Sequence, residues 1–231
     1  PYCKDSGYVD GKRCMCFSKK AIDLIYKDSN LKNITTDENF DTFSFSWYNN
    51  TDIDPATGLT PYNNMQKVLK VCHDFVDNFD TNFSNLLFIG QTGVGKTFLS
   101  NCIARALMDS CHSIIYLTAG EFFDSFKSDD FKEFGSSKFD TSFFVECDLL
   151  IIDDLGTEKA SDYNFSNLFN TINERLLRRK SIIISSNLEM PDIETRYSQR
   201  IFSRLVSAYS ILRLFGDDIR CMKKLSPTKR S

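Results

Sequence analysis

The sequence predicts an α/β fold in three layers, with a parallel five-stranded sheet between helices. Three observations carry this expectation. Short apolar runs alternate with amphipathic helical patterns, the order of parts found in β-α-β units. The run Asn85-Leu86-Leu87-Phe88-Ile89 ends in Gly90-Gln91-Thr92-Gly93-Val94-Gly95-Lys96-Thr97 and passes directly into a helical pattern. The run Asp148-Leu149-Leu150-Ile151-Ile152 ends in the acidic pair Asp153-Asp154. Strands that are apolar along their length and polar only at the C-terminal tip suit a parallel sheet buried on both faces.

Length and charge bound the rest. With 231 residues and a net charge of −3, the chain has room for one such domain and a small appendage. The charge does not mark a nucleic-acid binder, so any such surface would be local. No apolar run reaches the roughly 20 residues of a membrane span, and no secretory signal follows Pro1. Because Pro1 is not an initiator methionine, the chain is expected to begin inside a longer protein. Cys72, Cys102, Cys111, Cys147 and Cys221 are scattered through expected elements. They read as reduced, mostly buried thiols of a cytoplasmic protein.

Four zones are expected: a cysteine-rich segment over 1–20, a helix and linker over 21–62, the main domain over 63–218, and a basic, loose tail over 219–231. In the first zone Cys3, Cys14 and Cys16 cluster among glycines and charges. Thiolates so placed favour a tetrahedral Zn²⁺ site, which would supply folding energy that so little apolar content cannot. Only three ligands are visible, and unpaired surface cysteines are the alternative. Residues 17–31 read as a short helix with Ala21, Ile22, Leu24 and Ile25 as its apolar positions. The stretch 33–62 is polar and turn-rich. Its Phe40, Phe43, Phe45, Trp47 and Tyr48 either anchor the linker in grooves or cover a nucleotide base.

An amphipathic helix is expected over 65–79, with Val68, Leu69, Cys72, Phe75 and Val76 on its apolar side. After the glycine-rich loop the helix runs on to Met108, and Ser113–Thr118 is the second strand. Helices over 121–127 and 139–146 flank a charged turn. The phenylalanine stripe there, including Phe122, Phe123, Phe126 and Phe144, reads as core. A helix over 161–179 ends in Arg175, Arg178, Arg179 and Lys180, cations that suit a helix C-terminus. Ser181–Asn187 is the fourth strand, residues 194–209 a helix carrying Arg200 and Arg204 one turn apart, and Ile211–Phe215 the fifth strand.

The loop carries the chemistry. The pattern G-x-x-x-x-G-K-[ST] between a strand and a helix is a phosphate-binding loop. Gly90, Gly93 and Gly95 let the backbone turn its N–H groups toward phosphate oxygens, with Gln91, Thr92, Val94 and Phe98 completing the cradle. The helix from Lys96 adds its positive end. Lys96 can reach the β- and γ-phosphates, and the Thr97 hydroxyl can ligate Mg²⁺. Asp153 at the tip of the third strand would hold Mg²⁺ through water, and Asp154 would orient or activate an attacking water. Asn187 either bonds that water or the γ-phosphate, or caps the next turn.

The order Gly90–Thr97, Asp153-Asp154, Asn187, Arg200/Arg204 resembles the Walker A, Walker B, sensor 1 and arginine-finger series of AAA+ ATPases. Together with the Cys3…Cys14-x-Cys16 zone, it resembles the helicase loaders of the DnaC/DnaI type, from Cys3 to about Phe215. The resemblance implies a strand order of 5-1-4-3-2, ATP or ADP as ligand with Mg²⁺, and Zn²⁺ at the cysteines. It implies that Arg204, helped by Arg200, completes the site of a neighbouring subunit, so that homo-oligomers form in the ATP state. It also implies a replicative DNA helicase and single-stranded DNA as partners. Contact with DNA would fall within 121–146, which is phenylalanine-rich here and not markedly basic. Asp154 stands where most of the class has glutamate, and no second-sensor arginine or lid domain is found. An IstB-type transposition helper, an ATP-binding adaptor with little turnover and a small-molecule P-loop kinase are the rival readings.

Overall fold

The computed structural model describes residues 6, 8–9, 12–13, 38–127 and 141–225. The three expected zinc ligands, the helix over 17–31 and the turn over 128–138 lie outside them. Tyr8–Val9 pairs antiparallel with Lys12–Arg13.

The sheet has five strands: β1 (Leu86–Ile89), β2 (Ile114–Thr118), β3 (Leu149–Leu155), β4 (Ser181–Ser186) and β5 (Ser210–Arg213). All pairings are parallel and the order is 5-1-4-3-2, as the resemblance implies. The strands are apolar on both sides because both faces are covered. On one face Leu86, Phe88, Ile114, Tyr116, Leu149, Ile151 and Ile183 join a core with helices α1 (Pro61–Asp77) and α2 (Lys96–Asp109). On the other face Leu87, Ile89, Ile115, Leu117, Leu150, Ile152, Ile182 and Ile184 meet helices α3 (Ala119–Asp124), α4 (Phe143–Glu146), α5 (Asp162–Leu177), α6 (Met190–Arg196) and α7 (Gln199–Ala208). A final helix, α8 (Ile219–Leu225), follows β5. Adjacent residues of one strand thus serve opposite cores, the period-2 rule of an extended chain.

Several expectations need correction. The helix expected from residue 65 begins at Pro61. Thr60 caps it by accepting the Asn63 N–H, and Pro61 takes the first turn, where its missing donor costs nothing. The single helix expected over 194–209 is two, broken at Tyr197–Ser198. Tyr197 leaves the helical path and buries its ring against Phe165. The tail expected to be loose is helical over Ile219–Leu225, because Asp218 caps it by accepting N–H bonds from Arg220 and Cys221. Arg175 is not a surface cation. It is fully buried and donates to the carbonyls of Phe144, Cys147, Asp148 and Ser181, tying α4 and the starts of β3 and β4 together. Phe122, Phe123 and Phe144 are core, as expected, with Phe126 packed against them.

Candidate nucleotide site

The loop between β1 and α2 is shaped by what crowds it. Gly93 has φ +84°, and a Cβ there would lie 2.2 Å from the Asp218 carboxylate. Gly90 faces the main chain of Leu214 at the end of β5, where a Cβ would meet the carbonyl oxygen at 2.0 Å. The main chain bars any side chain at Gly90, and at Gly93 the positive φ strains any other residue. The Ile219 N–H donates to the Gly93 carbonyl at 3.0 Å, so α8 is docked on this loop.

Lys96 is buried with its ammonium folded back over the loop. Nζ donates to the Gly90 carbonyl at 2.6 Å, the Gln91 carbonyl at 2.8 Å and Asn187 Oδ1 at 2.6 Å. Burial holds its pKa below the ordinary lysine value, against the pull of Asp154 and Asp153. Three neutral acceptors satisfy its three donors but leave its charge uncompensated at short range. An anion entering the loop therefore meets a cation that gains by turning toward it.

Asp153 gathers donors from three elements. Thr97 Oγ1 donates to Oδ2 at 3.0 Å, the Tyr116 hydroxyl to Oδ2 at 2.8 Å, and Ser185 Oγ to Oδ1. Burial, then the neighbouring Asp153 charge, pushes the Tyr116 hydroxyl pKa well up, so it stays a donor. A hydroxyl and a carboxylate side by side are the hard oxygen donors that Mg²⁺ takes, so the donor set fits the metal that Thr97 and Asp153 would hold. When bound, that ion neutralises phosphate charge.

Asp154 departs from the ladder. The pairing of β3 with β4 shifts between Ile152 and Leu155, and Asp154 has φ +57°. Such a backbone costs on the order of 1 kcal/mol and is held here by its surroundings. Its N–H donates to Ser185 Oγ at 2.9 Å, and its Oδ1 accepts from Asn187 Nδ2 at 3.3 Å. Partial burial, then the Asp153 charge, raises its pKa, while Lys96 and Arg220 oppose the rise. Asn187 therefore bridges the two halves: its oxygen holds Lys96 and its nitrogen meets Asp154. The side-chain oxygen that Asn187 would need to cap the next turn is taken by Lys96, and the helix that follows starts from Glu189.

The surrounding pocket is lined by Thr92, Gly93, Gly95, Lys96, Thr97, Phe98, Asp154 and Asn187. The linker adds Glu38, Phe43, Trp47 and Tyr48, and α8 adds Arg220 and Lys223. Both readings of the linker aromatics meet here: Phe43, Trp47 and Tyr48 pack on the core and also face the pocket. Lys223 Nζ lies 5.6 Å from the Trp47 ring centroid, closing one side. Tyr116, Ser185, Glu38, Arg220 and Lys223 are not among the site residues expected from the sequence. Asp218 followed by cations was a cap signal that could have pointed to Arg220. Nothing local could have pointed to Tyr116 or Ser185, which reach Asp153 through strand register. Arg200 and Arg204 are not in the pocket. Arg200 is exposed on α7, and Arg204 lies against α5, with Nη2 at 3.3 Å from Asn173 Oδ1 and the guanidinium 5.9 Å from the Phe169 ring centroid. Among the described residues no group of three or more His, Cys, Asp or Glu could hold a metal, and no helix is long and apolar enough to cross a membrane.

A strand–glycine loop–helix unit facing an acidic strand tip across this sheet order defines a P-loop domain of the AAA+ class. A family model described as IstB-like ATP binding protein matches residues 60–226, and the chain belongs to that family. It is 24% identical over 151 residues to the replicative helicase loader DnaC of Escherichia coli (strain K12), covering 65% of this chain and 61% of that protein. The chain thus spans about three fifths of the length of the curated relative it matches there. It is 31% identical over 121 residues to the phage-like element PBSX protein XkdC of Bacillus subtilis (strain 168), covering 50% of this chain and 44% of that one. The crystal structure of the DnaC helicase loader superimposes with a TM-score of 0.62 at 21% identity, over 80% of this chain and 99% of that one. A replication initiator DnaA bound to AMPPCP and single-stranded DNA gives 0.56 at 19%, over 72% of this chain and 53% of that one.

Proposed function

We propose that this chain is the ATPase part of a cytoplasmic loader that places a replicative DNA helicase on single-stranded DNA, switching with its nucleotide. The observation that carries the reading is the division of the site. Lys96, Thr97, Asp154 and Asn187 line one pocket, with Asp153 buried behind Thr97, while the arginines of α7 lie elsewhere.

The chain's own residues would act as follows. Lys96 leaves its carbonyl acceptors for the β- and γ-phosphates. The loop N–H groups and the start of α2 hold the same phosphates. Asp154, kept near water and near Asn187, orients the attacking water and accepts its proton. Arg204 of one subunit stabilises the charge developing on the γ-phosphate in the next, which makes turnover a property of the assembly. Hydrolysis then resets the oligomer. The likeness to helicase loaders supports the choice of partner, and the DNA-bound DnaA relative supports single-stranded DNA as the other ligand.

The test is phosphate release by the full-length protein, with and without single-stranded DNA, across protein concentrations. Turnover that rises more steeply than linearly and responds to DNA is the expected result. Turnover that is linear in protein and indifferent to DNA would point to a self-contained enzyme. The family description favours one second reading, an IstB-type transposition helper with the same ATPase. Pull-down of a replicative helicase by the full-length protein separates the two.

A further inference from the structure

We infer that Glu158 is a positioning residue that sets the aim of the arginine-bearing helix α7 from the loop next to the nucleotide. The inference rests on the reading that Arg204 completes a neighbour's site.

Glu158 sits four residues after Asp154, and its side chain is only 3% exposed. It does not line the nucleotide pocket. Its carboxylate is fully engaged. Oε2 accepts the Gly156 N–H at 2.8 Å, and Oε1 accepts the Tyr197 hydroxyl at 2.6 Å and the Arg196 guanidinium at 3.5 Å. The Glu158 main-chain carbonyl accepts a further bond from Arg196 Nη2. Arg196 is the last residue of α6 and Tyr197 is its cap. Ser198 follows at once, and its carbonyl accepts the Ile201 and Phe202 N–H groups of α7. The carboxylate therefore grips the joint from which α7 departs, two residues before Arg200.

The other end of the loop touches the nucleotide side. Thr157 Oγ1 donates to the Asp154 carbonyl at 2.9 Å. Gly156 packs so closely on Leu188, the neighbour of Asn187, that a Cβ would lie 2.7 Å from Leu188 Cδ1. The segment 156–158 is thus fastened on one side to Asp154 and to Leu188 beside Asn187, and on the other to the joint that precedes the arginine helix. An apolar residue would fill the same buried space without desolvating a charge. What the carboxylate adds is direction, since it holds three donors from two segments in one geometry. The Tyr197 ring, edge-on to Phe165 at 5.3 Å, seats the joint in the core.

The experiment uses mixed full-length subunits. Arg204→Ala subunits have an intact pocket and offer no arginine. Lys96→Ala subunits have a disabled pocket and offer one. Mixing the two is expected to restore turnover. Replacing the donor with Lys96→Ala/Glu158→Gln is expected to restore at least tenfold less. Adding Glu158→Gln to the Arg204→Ala acceptor instead is expected to leave restoration by Lys96→Ala within about twofold. A general folding lesion would fail on both sides, so this split separates positioning from structure. Tyr197→Phe in the donor removes only the hydroxyl donor, keeps the ring on Phe165, and is expected to show the same one-sided defect if Glu158→Gln does not fold. Equal restoration by the single and double donors overturns the inference, as does an equal loss on both sides. If Lys96→Ala subunits that co-assemble with the acceptor at saturating ATP, as sedimentation shows, still fail to restore turnover, trans completion itself is wrong and the inference falls with it.

Discussion

The pocket at the tips of β1, β3 and β4 and the outer face of α7 are built on opposite plans. On the phosphate side of the pocket the polar groups are committed: Lys96 has three acceptors, Asp153 behind Thr97 has three donors, and Asn187 links Lys96 with Asp154. On α7, Arg200 is exposed and Arg204 makes one long hydrogen bond and one loose ring contact. The lesson is about preorganisation. The loop backbone is shaped in advance by its packing, and Lys96 is the group that must exchange its neutral acceptors when a polyanion arrives. The proposed service of Arg204 to a second molecule calls for weak contacts of this kind, which it can exchange.

The sharpest break of this contrast is Arg204→Ala. Turnover is expected to fall about 1000-fold while ATP affinity stays within about twofold. Parallel phosphate-release and equilibrium-binding measurements check it, and a matching loss of affinity would place Arg204 in its own subunit's pocket. Next comes Asp154→Asn, expected to cut turnover about 100-fold, the scale of a lost general base. Its pH behaviour sharpens the case. Burial and Asp153 raise the Asp154 pKa, so turnover should be lost on acidification at a pH above the ordinary aspartate value. The native state then holds the proton more tightly than the unfolded chain does. Stability contributed by this group therefore falls as pH rises through that interval, and Asp154→Asn should melt higher than the parent at neutral pH. A lower melting temperature would contradict the assignment of cause.

Lys96→Ala is expected to weaken ATP binding about 30-fold, the loss of charge-assisted bonds to phosphate. Unchanged affinity by titration calorimetry would refute the pocket as the nucleotide site. The smallest effect belongs to the linker. Trp47→Ala removes the ring beneath Lys223 and should weaken nucleotide binding about fivefold, with turnover at saturation unchanged. A larger effect on turnover than on affinity would move Trp47 out of the base-covering role.

Much of the pocket was legible because its parts are local. A strand that ends in Gly90 and restarts as a helix at Lys96 can be read from neighbours in the chain, and so can an apolar strand that ends in Asp153-Asp154. The misreadings share a different cause. The start of α1 was hidden because Thr60-Pro61 serves equally as a turn and as a cap with its first helical residue. The break at Tyr197 was hidden because helical periodicity continues across it, and only the pull of Phe165 and Glu158 bends the chain. The helix α8 was hidden because it is short and charged, and its stability comes from docking on the glycine-rich loop.

The sequence carries the class of fold, the five strands and the phosphate loop, because each depends on spacing within one segment. It also singled out Arg200 and Arg204, by helical periodicity and likeness. The folded arrangement is what brings particular side chains together at Asp153. Tyr116 and Ser185 reach it from strands on either side, and a shift of one residue in either pairing would turn them into the opposite core. It alone decided that Asp154 leaves the ladder toward Asn187, that α8 brings Arg220 to the pocket, and that Glu158 ties the loop to the root of α7. These are contacts between segments far apart in the chain, and parallel strand register and helix docking, set by burial on both sheet faces, bring them together.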